Sequence, residues 1–191
     1  MGTAETKTKT KIEKKTVLSV LNIGARLLVI CLVVAAVVSL VNEVTKTRYA
    51  EIQKEEQQKA MASIFGATGI EVAELEDSFY AVRQGEEFLG YCVQVLHAGF
   101  GGDMTLMVGF RADQTLVGVQ ILSHSETPGL GARVNDAAYL GQYAGKSGTL
   151  TLGENVDAIS GATISSRAVL AGVSEAQAIL KSHIEPGGDA K

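Results

Sequence analysis

The chain has 191 residues, no Trp, 2 Pro and 21 Gly. That size allows one ordinary globular domain plus a small addition, and the glycine content suits a turn-rich α+β or β-rich domain rather than a low-complexity chain. A net charge of -4 argues against nucleic acid as the main partner.

The charge is unevenly spread. Residues 1–15 carry five Lys (Lys7, Lys9, Lys11, Lys14, Lys15) against Glu5 and Glu13, a local +3. Arg26 adds one positive charge, so the remainder carries -8. A basic head followed by an acidic body is the pattern a membrane boundary produces. From Thr16 to Asn42 the only charged residue is Arg26, and Leu27–Val41 is apolar except for Ser39. As a helix that segment is about 40 Å long, enough for a hydrocarbon core of roughly 30 Å. Residues 16–42 are therefore read as a transmembrane helix. A cleaved signal peptide is disfavoured: the apolar run is too long, and no small-residue cleavage site follows in Asn42–Lys46. The Lys-rich side places residues 1–15 in the cytoplasm as a disordered tail, and the body outside it. Arg26 either snorkels to the headgroups or meets a partner protein of the membrane.

Residues 43–66 read as an amphipathic connecting helix, with Tyr49, Ile52, Gln53, Glu56, Ala60 and Ile64 at helical spacing. Gly66-Ala67-Thr68-Gly69 ends it. The body, 67–184, begins with two hairpin patterns. Phe79–Arg83 and Phe88–Leu96 flank a turn at Gln84–Glu87, and Met104–Phe110 and Thr115–Leu122 flank a turn at Ala112-Asp113. Gly99-Phe100-Gly101-Gly102 separates the hairpins. Arg133–Tyr143 reads as a helix and Thr149–Leu152 as a short strand or turn. Val169, Val173, Ala176 and Leu180 define a last helix of about four turns, ending before Pro186. Residues 185–191 form a flexible tail. The fold class is α+β: one N-terminal membrane helix, then a small extracytoplasmic domain with an antiparallel sheet and flanking helices.

Cys31 lies in the apolar span and Cys92 in the body, so they cannot pair, nor can two cysteines alone hold an iron–sulfur cluster. His97, His124 and His183 lack metal-ligand spacing. Any redox cofactor held by this chain alone is therefore expected to be organic, with no metal.

Two segments stand out. Asp157-Ala158-Ile159-Ser160-Gly161-Ala162-Thr163 immediately precedes the last helix. Ser160 and Thr163 suit a helix cap, Gly161 and Ala162 admit a ligand close to the backbone, and free amides at a helix start attract phosphate. On physics alone, the cap is explanation enough. The second segment is Ser123-His124-Ser125-Glu126-Thr127-Pro128-Gly129-Leu130-Gly131. It reads as a strand-to-helix loop with ordinary turn chemistry, whose His, Glu, Thr and Gly residues also suit a planar polar ligand.

The full pattern Asp-x-x-Ser-Gly-Ala-Thr resembles the modification motif of flavinylated membrane redox proteins. At average residue frequencies, a chain of this length matches it by chance on the order of a few times in ten thousand. The His-x-Glu-Thr-Pro-Gly-Leu-Gly loop resembles that family's second motif, beside the flavin. With the single span, the length and the Gly99–Gly102 turn, the chain is similar to G subunits of the Rnf complex from Thr16 to about His183. The resemblance implies FMN held by a phosphoester to Thr163, attached by a separate Mg-dependent flavin transferase that uses FAD. It implies roles for Asp157 and Ser160 in recognition or loop positioning. It further implies Gly161, Ala162, His124, Glu126, Thr127, Gly129, Leu130 and Gly131 around the flavin. Glu126 and Thr127 would hydrogen-bond the ring or ribityl chain, and Leu130 would pack on it.

The implied function is an electron relay in a ferredoxin:NAD oxidoreductase that moves Na⁺ or H⁺, with the A, B, C, D and E subunits of the Rnf complex as partners. No substrate turnover of its own is implied. The C subunit of the Na⁺-translocating NADH:quinone reductase shares both motifs but tends to be longer. The alternative from another class is a flavin-free membrane-anchored binding or assembly module.

Overall fold

A computed structural model describes the backbone of residues 4–184 and the side chains of 21–184, except those of 44, 47 and 50. The expected tail 185–191 lies outside the described residues. The chain divides into two compact units, Met1–Ile52 and Gln53–Lys191. One helix, α1, runs from Ala4 to Phe65. The basic stretch expected to be disordered is therefore helical from Ala4 onward. Leu21–Glu43, 23 residues, is long and apolar enough to cross a membrane, and its described side chains are all exposed.

The second unit is built on a five-stranded meander in the order β1-β2-β3-β4-β5. The strands are β1 (Glu71–Glu76), β2 (Phe79–Gln84), β3 (Glu87–Ala98), β4 (Asp103–Phe110) and β5 (Leu116–His124). Every neighbouring pair is antiparallel. Both expected hairpins are present, and β1 is an addition to the expectation. Its sequence, Glu-Val-Ala-Glu-Leu-Glu, has only Val72 partly buried, so the alternation that marks a half-buried strand is missing.

Period-two alternation gives the sheet two apolar faces. On one face Phe79, Val93, Val95, Leu106, Val108 and Phe110 pack against Val169, Val173, Ala176 and Leu180. Those last four belong to α3 (Thr163–Ile184), a helix of 22 residues and about six turns, longer than its apolar pattern suggested. A Cβ at Gly172 would collide with the Leu106 side chain, so the glycine sets how closely α3 approaches the sheet. On the other face, Tyr80, Val82, Cys92 and Met107 pack with Met61, Ile64 and Phe65 from the end of α1. Gly109 makes room there: a Cβ on it would collide with Ile64. Burial at Met61, Ile64 and Phe65 only partly follows the expected stripe. Tyr49 and Ile52 are 63% and 53% exposed.

The expected helix Arg133–Tyr143 is broken into three pieces. Gly131–Asn135 is a 3-10 turn, Ala137–Leu140 is the single turn α2, and Gly141–Tyr143 is another 3-10 turn. The interruption is Asp136, extended at φ -66 and ψ 134, whose carbonyl accepts from Tyr139 and Leu140. Val134, Tyr139, Leu140 and Tyr143 are nonetheless buried; tertiary packing, not helix continuity, places them. At Thr149–Leu152 only an isolated bridge forms, Leu152 with Val156.

Candidate functional site

Three stretches of chain meet at one end of the sheet. The first is the β3–β4 hairpin tip, closed by Gly99 N–H donating to the Gly102 carbonyl at 2.8 Å. The β4–β5 ladder, through Met104 opposite His124, brings that tip beside the second stretch, the loop after β5. Here Leu130 N–H donates to the Thr127 carbonyl at 3.2 Å, and Gly129 sits at φ 75. Pro128 and Gly129 thus occupy the central positions of a type II turn, which needs a left-handed third residue. The third stretch is the entry to α3.

Between them lies a cavity of about 260 Å³ lined by Phe100, Glu126, Thr127, Leu130, Gly131 and Gly161–Ser165. Its mouth is apolar and open to water: Phe100, Leu130 and Ile164 are 67%, 46% and 54% exposed. Complete ligand pockets run from about 300 to 1,000 Å³. This cleft therefore suits one face or edge of a larger planar ligand, with the rest left accessible.

The entry to α3 is held by serines inside the helix. Ser166 Oγ donates to the Ala162 carbonyl at 3.0 Å and accepts from Ile159 N–H at 3.1 Å. Ala162 N–H in turn donates to the Ile159 carbonyl at 2.9 Å, and Gly161 takes φ 80. The first helical bond is Ser166 N–H to Ala162 C=O. The N–H groups of Thr163, Ile164 and Ser165 thus have no protein acceptor among the described residues. They form the partly positive end of the helix dipole, where an anion is favoured. Thr163 is exposed, and its hydroxyl makes no hydrogen bond among the described residues. Among the described residues neither Ser160 nor Thr163 caps the helix through its side chain; Ser166, from within the helix, clamps the preceding loop instead. Behind it, Tyr139 Oη donates to the Ser166 carbonyl at 3.3 Å and meets Tyr143 Oη at 3.2 Å. Burial and that contact raise the Tyr143 hydroxyl well above its ordinary range, so Tyr143 stays neutral.

Of the residues singled out in the sequence, Glu126, Thr127, Leu130, Gly131, Gly161, Ala162 and Thr163 line the cleft. Four do not. His124 accepts at Nδ1 from Glu126 N–H at 3.3 Å, and Gly129 serves the turn. Asp157 is bound through its backbone, its N–H donating to Gln142 Oε1 at 2.7 Å. Ser160 is exposed. Phe100, Ile164 and Ser165 were not anticipated as lining residues. An aromatic flanked by three glycines at a hairpin tip is a signal in the sequence that points to Phe100.

A water-exposed hydroxyl beside free helix-start amides and an apolar slot is a place for a phosphorylated planar cofactor, carried by a domain with an apolar span in the same chain. Residues 99–178, which contain the whole cleft, match the FMN-binding domain family. The chain is 30% identical to the G subunit of the proton-translocating ferredoxin:NAD(+) oxidoreductase complex of Clostridium ljungdahlii, over 83% of this chain and 90% of that protein. It is 32% identical to the G subunit of the ion-translocating oxidoreductase complex of Methanosarcina acetivorans, over 75% and 85%. With the G subunit of the Na(+)-translocating ferredoxin:NAD(+) oxidoreductase complex of Acetobacterium woodii it shares 30% identity, over 88% and 94%. Among solved structures, Shewanella oneidensis NqrC aligns with 55% of this chain and 60% of its own at 25% identity and a TM-score of 0.43. The chain belongs to the family of G subunits of ion-translocating oxidoreductase complexes.

Proposed function

We infer that the chain is the FMN-carrying electron relay of a membrane-bound ferredoxin:NAD oxidoreductase that translocates Na⁺ or H⁺, with the flavin esterified through phosphate to Thr163. The observation that carries this reading is Thr163 itself. Its hydroxyl is exposed and without a hydrogen-bond partner among the described residues. It stands at the head of α3 beside three free N–H groups and at the edge of the cleft.

FMN bound there supplies electron uptake and release through its ring system. The protein supplies the rest. Phe100, Leu130 and Ile164 offer apolar surface for a ring. The Thr163, Ile164 and Ser165 amides offer donors and a positive helix end to a phosphodiester. The partly open mouth leaves room for electron exchange with other cofactors.

Attachment needs help from outside. A threonine hydroxyl is a weak nucleophile, and no base is hydrogen-bonded to Thr163 among the described residues. A separate flavin transferase therefore provides the base. Thr163 Oγ gives up its proton and bonds the FMN phosphorus of FAD, and AMP leaves. Asp157 and Ser160 are exposed and stand outside the cleft, where such an enzyme can grip the loop. The A, B, C, D and E subunits of the complex are the expected partners. The Lys-rich head places the N-terminus in the cytoplasm and the cleft on the outer face.

The test is in-gel fluorescence after denaturation. The chain co-expressed with its transferase should give a yellow-green band; a dark band refutes the covalent reading. Protease protection on vesicles tests the side, since residues 70–180 found inside the cytoplasm contradict the orientation.

A further inference from the structure

Glu126 is 5% exposed, yet no cation pairs with it among the described residues. Its Oε1 accepts from Phe100 N–H at 2.7 Å, with Gly101 N–H a weak second contact at 3.5 Å. Its Oε2 accepts from Ser165 Oγ at 2.8 Å. One oxygen thus holds the hairpin tip and the other holds the first turn of α3, 39 residues along the chain from Glu126. Three glycines fit around this residue. A Cβ at Gly99 or Gly131 would collide with its carboxylate oxygens, and one at Gly101 with the adjoining Ser125 carbonyl and Glu126 Cα. The side chain and its surroundings are packed to each other, and both oxygens are turned to the protein.

We propose that Glu126 is a positioning residue of the flavin cleft rather than a direct flavin ligand: its carboxylate braces the wall carrying Phe100 against the wall formed by the start of α3. Two walls from separate elements have no backbone pairing to fix their spacing. A buried acceptor that binds donors on both supplies it, and the low-dielectric setting strengthens both bonds. Thr163 then tethers the cofactor, and Glu126 keeps the slot narrow enough to order a ring. The proposal rests on the reading of this cleft as the flavin site.

The test uses the full chain, co-expressed with the transferase and purified in detergent. Visible circular dichroism of the native flavin reports ring ordering, and denaturing-gel fluorescence reports attachment. Glu126→Gln keeps a carbonyl acceptor for Phe100 and an amide donor toward Ser165 Oγ, so it should stay near wild type. Glu126→Ala should load flavin equally but lose visible ellipticity about fivefold, the order expected for one or two lost buried bonds. Ser165→Ala, which frees only the α3 end, should lose about half of it.

Wild-type ellipticity at equal loading in both alanine variants overturns the brace. So does a Gln variant as poor as the Ala variant, which assigns the effect to charge instead. If Glu126→Ala does not fold, Ser165→Ala decides: a loss supports the brace and no loss overturns it. Flavin bound natively but absent from the denatured band refutes the Thr163 ester alone, and the ellipticity comparison still decides the brace.

Discussion

The two ends of α3 are held by opposite means. At the start, buried groups do the holding: Ser166 clamps Ile159 and Ala162, and Ser165 joins Glu126. Three amides and one hydroxyl are left free at the surface. At the finish, a titratable side chain does it. His183 Nδ1 meets the Ile179 carbonyl at 2.7 Å and Nε2 meets Glu76 at 2.9 Å. The ring also stacks on Phe79 with centroids 4.4 Å apart. Both nitrogens face acceptors, so only the doubly protonated ring satisfies both. The start is rigid yet chemically open, whereas the finish is closed and pH-dependent. That division is what a tether point needs: the fold holds its backbone without using up the groups that would meet a ligand.

The largest effect should come from the open end. Thr163→Ala removes the proposed ester oxygen and should abolish covalent flavin entirely, while costing at most about 1 kcal/mol of stability, as for a helix-start substitution. Thr163→Ser should retain part of the flavin. Gel fluorescence alongside thermal unfolding separates loading from folding, and full loading of Thr163→Ala after denaturation would falsify the site.

Next comes the buried face of the helix. Leu180, 1% exposed, cut to Ala should cost about 3 kcal/mol through lost burial and a residual cavity. Chemical denaturation measures this. A cost below about 1 kcal/mol, the surface-substitution range, would mean that α3 does not anchor the sheet as described.

Ser166→Ala comes third. It strands the Ile159 N–H and should cost about 1–2 kcal/mol. Unlike Leu180→Ala, it should also slow flavin attachment, because the loop bearing Thr163 loses its clamp. Equal attachment rates in the two variants would erase the distinction between clamp and core.

The smallest effect belongs to the closed end. The Ile179 carbonyl, then Glu76, hold the His183 pKa above its ordinary 6.5. A raised folded-state pKa gives stabilisation that is complete below about pH 6.5 and fades as pH rises through the folded value. Glu76 is 69% exposed, so screening limits the effect to a few tenths of a kcal/mol. Melting curves at pH 5.5 and 8.5 should show this increment in the wild type and a smaller one in Glu76→Gln. Identical pH dependence in the two proteins would remove the latch from the picture.

Much of this molecule is legible in residue patterns because the patterns are local. An apolar run long enough for a bilayer marks the span. Alternation marks both hairpins, and helical spacing from Val169 to Leu180 marks α3. Asp157–Thr163 and His124–Gly131 identify themselves by composition, and both contribute residues to the one cleft. What escaped either lacks an apolar period of its own or depends on partners elsewhere in the chain. β1 is an edge strand rich in Glu, stable only because β2 offers it a ladder. The expected helix at Arg133–Tyr143 breaks at Asp136, although its apolar residues still reach the core. Tertiary structure alone also decided how the site is held. Ser166 clamps the loop before α3 where the sequence suggests a cap from Ser160 and Thr163, Phe100 arrives from a hairpin tip, and Glu126 turns both oxygens to the protein. The physical reason is that a hydrogen bond across 39 residues leaves no period in the sequence, whereas a membrane's thickness or a sheet's alternation writes one residue by residue.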